Sequence, residues 1–293
     1  MTFYSPTQKR EWLRCPRRYF YRYIFQPTSE EESSAHQARR QLYGIRELGG
    51  HLIHCALADM VRDWTSNGCQ WTIASATQSC LETFEEAINA SLKTGPGRIH
   101  EGLQLAETYN GLVYENIKND VAFWTRMIPR AIANGETAAR TIGIPPVTAM
   151  VQVEAEKEVY WQSASRPRRI IFDVLIRTPY RMRVIDWKCH AIDNVDLDQL
   201  THYLRYLHKF ENPDELSLVG RAVDLFSGEY MEVTYKPHLP VVDLLESSHV
   251  RHIPKGEKKP PSFDPAPDPE LCPRCPYSDL CESSVARLQS AAS

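Results

Sequence analysis

Residues 169–189 read RIIFDVLIRTPYRMRVIDWKC, and the fold turns on how this stretch pairs with itself. Thr178-Pro179-Tyr180 is a turn signal, because proline already holds the φ that the second position of a tight turn needs. With Arg177 facing Met182, an antiparallel pair keeps a constant sum of residue numbers, which sets Asp173 opposite Asp186. Strand alternation then places Lys188 on the face of Asp186 together with Ile171, Leu175 and Val184, and leaves Phe172, Val174, Ile176 and Ile185 on the other. Both faces are mostly apolar, as expected for the centre of a sheet covered on both sides. Two carboxylates facing each other in such a place repel. Two resolutions stay open on these residues alone: a divalent cation between the acids, or an ion pair of Asp186 with Lys188 or a nearby arginine.

Outward from the hairpin, Ser5, Pro6 and Gln8 have the form of a helix start, and the pattern predicts one helix to about Phe25. PTSEEESSAHQ (27–37) reads as a polar acidic linker. Apolar residues then recur at helical spacing from Leu48 to about Asn134 (Ile53, Leu57, Met60/Val61 and Trp64; Ile73, Leu81, Phe84 and Ile88), with Gly68 and Gly95 as stops. After GIPP (143–146) the composition turns strand-like, in VTAMVQVEAEKEVYW and then the hairpin. A helix over DLDQLTHYLRYLHKF (196–210) and strands around LSLVGRAVDLF and YMEVTYK follow, and the chain ends in a proline-rich tail.

A chain of 293 residues with 42% hydrophobic and 24% charged residues is long and apolar enough for one large core, which excludes collagen-like and disordered classes. The net charge of −3 excludes a general polyanion binder, so any nucleic-acid site must be local. Basic clusters occur at Lys9, Arg10, Arg14, Arg17, Arg18 and Arg22, at Arg166, Arg168 and Arg169, and at Lys255, Lys258 and Lys259; each taken alone reads as a solvated face. No basic-then-apolar leader opens the chain and no run of eighteen apolar residues occurs, which predicts a cytoplasmic protein without membrane contact. In that compartment a tight cysteine group binds metal or does redox chemistry rather than forming disulfides. Cys272, Cys275 and Cys281 have such ligand spacing, whereas Cys55, Cys69, Cys80 and Cys189 read as packing residues.

Gln199 and Tyr203 share a helix face four residues apart, and His54 lies in GGHLIHCAL (49–57); singly, each reads as an ordinary packed polar residue. As an ordered set they carry more. CPRRYFYRY from Cys15, Gly50-x-x-x-His54, Asp173 with Asp186-Trp187-Lys188, Gln199-x-x-x-Tyr203 and C-x2-C-x5-C follow one another as in the RecB-like branch of the PD-(D/E)XK nuclease superfamily, including the CRISPR-associated RecB-like exonucleases. The chain resembles that branch over most of its length, with the helical stretch from about Gly68 to Pro146 the least diagnostic. It departs in having Ile170, Ile171 and Phe172 before the first hairpin acid and Cys189 after the lysine.

The resemblance implies an α/β fold: a restriction-endonuclease-like mixed sheet core flanked by helices, with an N-terminal helical region and an iron–sulfur cluster joining the chain ends. It implies a single nuclease domain over 1–293, with an iron–sulfur module at 1–30 and 255–293, a helical region at 48–145 and a nuclease core at 146–250. It implies a metal-dependent DNA nuclease, acting as an exonuclease on single strands or duplex ends. His54, Asp173, Asp186 and the Trp187 carbonyl would be ligands of Mg²⁺ or Mn²⁺, Lys188 the charge-stabilising residue, and Gln199 and Tyr203 contacts to the DNA backbone. Glu154, on the preceding strand, is a weaker candidate for the metal shell. Cys15 would join Cys272, Cys275 and Cys281 around a [4Fe–4S] cluster, although four thiolates suit zinc as well. Arg14, Arg18 and Arg22, spaced along one helix face with Trp12, Tyr19, Phe20, Tyr21 and Tyr23 nearby, are expected to bind DNA, unless the aromatics are core. Expected partners are DNA and a helicase, integrase or other defence-complex subunit, in repair, CRISPR adaptation or phage defence. Two other classes remain open: a non-catalytic DNA-binding or assembly subunit, and a zinc-bearing interaction protein.

Overall fold

The computed structural model describes residues 6–66, 70–144, 151–162, 167–211, 217–235, 263–266, 268 and 270–281. The Ser5 cap, Arg166, Gly68, Cys69 and the three lysines at 255, 258 and 259 lie outside them.

Helices α1 (Pro6–Arg14) and α2 (Pro16–Tyr23) replace the single expected helix. The break falls at Cys15, which is extended (φ −160, ψ 107), because the ring of Pro16 disfavours helical geometry in the residue before it. The expected acidic linker is also corrected: Glu30–Arg40 forms α3, since Ser29 caps it by accepting from the Glu32 N–H and three glutamates sit at its positive end. A two-residue strand β1 (Leu42–Tyr43) leads into the long helix α4 (Ile45–Thr65). Next come α5 (Ile73–Thr94), β2 (Gln104–Leu105), the one-turn α6 (Ala106–Tyr109) and α7 (Tyr114–Ile142). Gly95 ends α5 at φ 77, as expected.

The main sheet has the order β3 (Gln152–Gln162), β4 (Pro167–Thr178), β5 (Arg181–Lys188), β6 (Ser217–Asp224), β7 (Tyr230–Thr234). Neighbours are antiparallel except β5 and β6, which run parallel and are joined through α8 (Asn194–Phe210). The hairpin register is the expected one: Arg177 pairs with Met182 and Val174 with Ile185. Two apolar layers cover the sheet. Val174, Ile176, Ile185, Trp187 and Val223 pack with α4, α5 and α7, and Leu175, Met182, Val184 and Leu218 pack with Leu200, Leu204 and Leu207 of α8. Helices α4 and α7 lie so close that a β-carbon at Gly49 would stand 2.2 Å from the Trp124 ring, and only glycine permits that approach. The result is a mixed α/β fold with a mixed sheet between helical layers.

One expectation about the faces is corrected. Phe172 and Ile170 lie in the α8 layer with Leu175, not with Val174 and Ile176. The strand reverses its faces at Asp173. Across the ladder, β3 pairs Ala155 with Val174 and Lys157 with Phe172, and the residue between, Glu156, takes a left-handed φ of 52. That conformation is costly for a non-glycine residue, and it turns both strands over at one point.

Trp12, Tyr23 and Phe25 surround an aromatic core of Tyr19, Phe20, Tyr21, Phe263 and Tyr277, which packs the two ends of the described chain together. Arg17 Nε donates to the Phe263 carbonyl (2.8 Å) and the Tyr21 hydroxyl to the Leu280 carbonyl (3.0 Å). No helix among the described residues is long and apolar enough to cross a membrane.

Candidate active site

Three neighbouring strands each bring one acid to the same level of the sheet. Glu156 of β3 lies across from Asp173 of β4, and the hairpin register, extended one residue beyond Val174–Ile185, brings Asp173 beside Asp186 of β5. The regular ladder stops there. Trp187 still pairs with Val223 of β6 but no longer with β4, and its N–H donates to Asp173 Oδ2 at 2.7 Å. From the other layer, α4 supplies His54, whose Nδ1 stands 3.5 Å from Asp173 Oδ2. One ligand atom from each of His54, Glu156 and Asp173 lies within 4.8 Å of the others.

Asp186 is buried, with Oδ2 2.6 Å from Lys188 Nζ and Oδ1 accepting from Gln199 Nε2 at 3.3 Å. Apart from that ion pair, Oδ2 has no hydrogen-bond donor among the described residues. Lys188 donates to Gln199 Oε1 (3.0 Å), and Gln199 in turn bonds the Tyr203 hydroxyl. Tyr203 is buried edge-to-face on Phe172 at 5.0 Å. Gln199 and Tyr203 therefore hold Asp186 and Lys188 in place from α8, and the face reversal at Asp173 is what brings Phe172 under Tyr203.

The charges are unevenly balanced. Burial pushes the Asp186 carboxyl up to about 6 against the pull of Lys188, and the neighbouring Asp173 carboxylate adds to the rise. Burial acts the same way on Asp173, yet the His54 imidazolium, Lys188 and the Trp187 N–H hold it below the ordinary carboxylate range. His54, despite its burial, is raised well above its usual value by Asp173. A buried acid whose charged form is disfavoured by its surroundings and by a second carboxylate beside it is a place that a divalent cation fits.

Behind the lysine stands a residue with no assigned role at the level of sequence. Asp196 is fully buried at the start of α8, 3.5 Å from Lys188 Nζ. It accepts from Arg10 of α1 (2.8 Å), from the Asp193 N–H (3.0 Å) and lies 3.1 Å from His190 Nε2. Although burial opposes it, His190 and Arg10 hold its carboxyl well below the ordinary range. Ligand atoms of His190, Asp193 and Asp196 come within 4.8 Å of one another, but Arg10 already spans both carboxylates.

Glu156 was not singled out from the sequence, where Glu154 was the weaker candidate. Glu154 instead pairs with Lys157 (2.6 Å) and with Arg177. Both glutamates share a strand parity, so alternation cannot choose between them; the sum rule applied to β3 and β4 could have, had that register been known.

Cys15, Cys272, Cys275 and Cys281 line one small pocket between α2 and the two 3₁₀ turns, Cys272–Arg274 and Ser278–Leu280. Burial pushes the Cys275 thiol up to about 12, and the Asp268 N–H donates to Cys272 Sγ (3.4 Å). Asn110 pins the turn by donating to the Pro273 and Cys275 carbonyls (2.8 and 2.9 Å). Of the other cysteines, Cys80 is buried as expected, while Cys55 is exposed and Cys189 half-buried beside His54. Trp12 and the α2 aromatics pack in the terminal core. Arg14 is exposed, whereas Arg18 is buried between Glu11 (2.7 Å) and Glu47, and Arg22 lies 3.7 Å from Glu47 and 4.0 Å from Glu11.

A family model described as the PD-(D/E)XK nuclease superfamily matches residues 4–282. No curated protein matches the chain. Among solved structures, protein VC1899 from Vibrio cholerae is similar at 13% identity over 58% of this chain, with a TM-score of 0.22, too low to support any inference. The chain spans about half of that protein, 52% of its length.

Proposed function

The chain belongs to the PD-(D/E)XK nuclease superfamily, whose members use divalent metals, and from that premise we propose that it is a metal-dependent deoxyribonuclease of the RecB-like branch, cutting single strands or duplex ends. The observation that carries this reading is the convergence of His54, Asp173, Asp186 and Lys188 from both sides of one sheet, two buried carboxylates side by side with a histidine and a lysine against them. His54, Asp173, Asp186 and the Trp187 carbonyl would hold Mg²⁺ or Mn²⁺, and Glu156 is added to that set by its position. When bound, such an ion supplies Lewis-acid polarisation of the scissile phosphate and lowers the pKa of the attacking water.

The chain's own groups do the rest. Lys188 stabilises the charge that grows on the phosphate, and its ammonium is held for that task by Asp186, Gln199 and Asp196. Gln199 and Tyr203 act on DNA through this alignment, with Gln199, which is the less buried of the two, the nearer to a bound backbone. The direct test is anaerobically purified protein incubated with end-labelled single- and double-stranded DNA in Mg²⁺, in Mn²⁺ or in chelator. Cleavage that requires metal and releases short products from ends supports the reading; absence of cleavage under all conditions removes it.

For the cysteine pocket the same reading takes Cys15, Cys272, Cys275 and Cys281 as ligands of a [4Fe–4S] cluster. Four thiolates suit zinc as well as an iron–sulfur group, so the choice of the cluster rests on the resemblance to the RecB-like branch. Backbone N–H bonds to sulfur, as at Cys272, are among the features that tune such clusters. A cluster there would make residues 1–30 and 255–293 a module of one nuclease domain in a cytoplasmic protein, working beside a helicase, integrase or other defence-complex subunit.

A further inference from the structure

We propose that the groove between α1, α3, β1 and α7 is the path by which one unpaired polynucleotide strand reaches the acids, a proposal that rests on the nuclease reading only for what happens at the end of that path. The groove encloses about 800 Å³. It is lined by Cys189 and His190, the two residues that follow Lys188, and Cys189 lies beside His54. Arg14 lines both this groove and the cysteine pocket. A strand lying in it would touch both the wall of the terminal module and the residues next to Lys188 and His54.

Its charge suits a polyanion although the whole chain is acidic. The acids in its wall are already engaged: Glu11 and Glu47 by the buried Arg18, and Asp120 by Arg274 at 2.6 Å. The exposed arginines are not matched in this way. Arg46 stands 3.8 Å from Asp120, and neither Arg14 nor Arg40 has a carboxylate partner among the described residues. The surplus in the wall is therefore cationic, as tracking a phosphate backbone requires.

Stacking selects a single strand over a duplex. Phe123 of α7 is 36% exposed, braced edge-to-face by Trp124 and Phe226 at 5.7 Å each, and it faces the groove with the half-buried Tyr43. An aromatic ring left in water beside arginines offers a stacking face, and only unpaired bases can use it, because a duplex keeps its base faces inside.

The test is equilibrium binding of a fluorescent oligothymidylate, and of a blunt duplex of equal length, to the full chain in chelator across a salt series. The double variant Arg40→Glu/Arg46→Glu changes only exposed side chains. It should bind the single strand at least tenfold more weakly and flatten the slope of log affinity against log salt by about 0.7 per lost contact. Phe123→Ala should weaken binding about fivefold or more while leaving the slope unchanged. Wild-type affinity and slope in the arginine variant would overturn the proposal, as would equal competition by polyglutamate, which would mark a general polyanion surface. Cleavage in Mg²⁺ is scored separately. Wild-type protein that binds through the groove but never cuts refutes the nuclease reading alone; an arginine variant that binds and cuts like wild type refutes the path alone.

Discussion

The sheet end and the terminal junction solve opposite problems. At the sheet end, Glu156, Asp173 and Asp186 are crowded together and the backbone is strained to do it, so packing works against charge. At the junction, Tyr19, Phe20, Phe263 and Tyr277 bring distant chain segments together by apolar contact, and Arg17 and the Tyr21 hydroxyl bond backbone carbonyls of the opposite segment. Phe263 stacks parallel to Tyr19 at 6.4 Å and tilts on Phe20 at 5.2 Å. Removing a group at the first place should therefore cost chemistry, and at the second stability. The two are linked by Arg10, which reaches from α1 to Asp196 and through it to Lys188.

The sharpest way to break this contrast is Lys188→Ala or Asp186→Ala. Each should lower single-turnover cleavage by roughly a thousandfold or more, the scale of losing a charge stabiliser in a dry site. Melting temperature and cysteine-bound metal should stay near wild type; a loss of metal at the cysteines would mean that the regions fold as one unit. Next in size, Cys15→Ser and Cys281→Ser should behave alike from opposite ends of the chain. Both should lose bound iron and its visible absorption and lower stability by about 2–5 kcal/mol, the range for losing a long-loop closure. Full iron content in Cys15→Ser would place the fourth ligand elsewhere.

Asp196→Asn tests the link itself. Loosening Lys188 without removing it should slow cleavage by about 10- to 100-fold, as for a reacting group displaced by a fraction of its length. Arg10→Ala should follow in the same direction with a smaller effect, seen in the maximal rate more than in DNA affinity. If neither variant alters the rate, α1 supports the fold only.

The smallest effect concerns pH. Asp186, raised to about 6 in the metal-free protein, takes up its proton as pH falls through that value. A protonated carboxyl is a poor metal ligand, so cleavage should decline below about pH 6, and added Mg²⁺ should move the midpoint lower because metal and proton compete. A midpoint insensitive to metal concentration would assign the titration to another group.

Local rules reached far here. The Thr178-Pro179-Tyr180 turn and the apolar alternation determined the hairpin register, because one turn sets every pair after it and a slip of one residue would bury the wrong face. The 3.6-residue period located the body of α4, α5 and α8, and the ordered motifs pointed to the superfamily. Pro16 carried the signal for the break at Cys15, and Ser29 with its glutamates the signal for α3, but neither was strong enough against the surrounding pattern. Tertiary structure alone decided the rest. Glu156 rather than Glu154 faces Asp173 because β3 pairs at one register out of several that alternation allows, and the strand turns over there. Arg18 lost its expected place on a DNA-facing surface because Glu11 and Glu47, set on different helices, close around it. Such convergence depends on how separate elements pack, and charges that meet across a core leave no period in the chain that carries them.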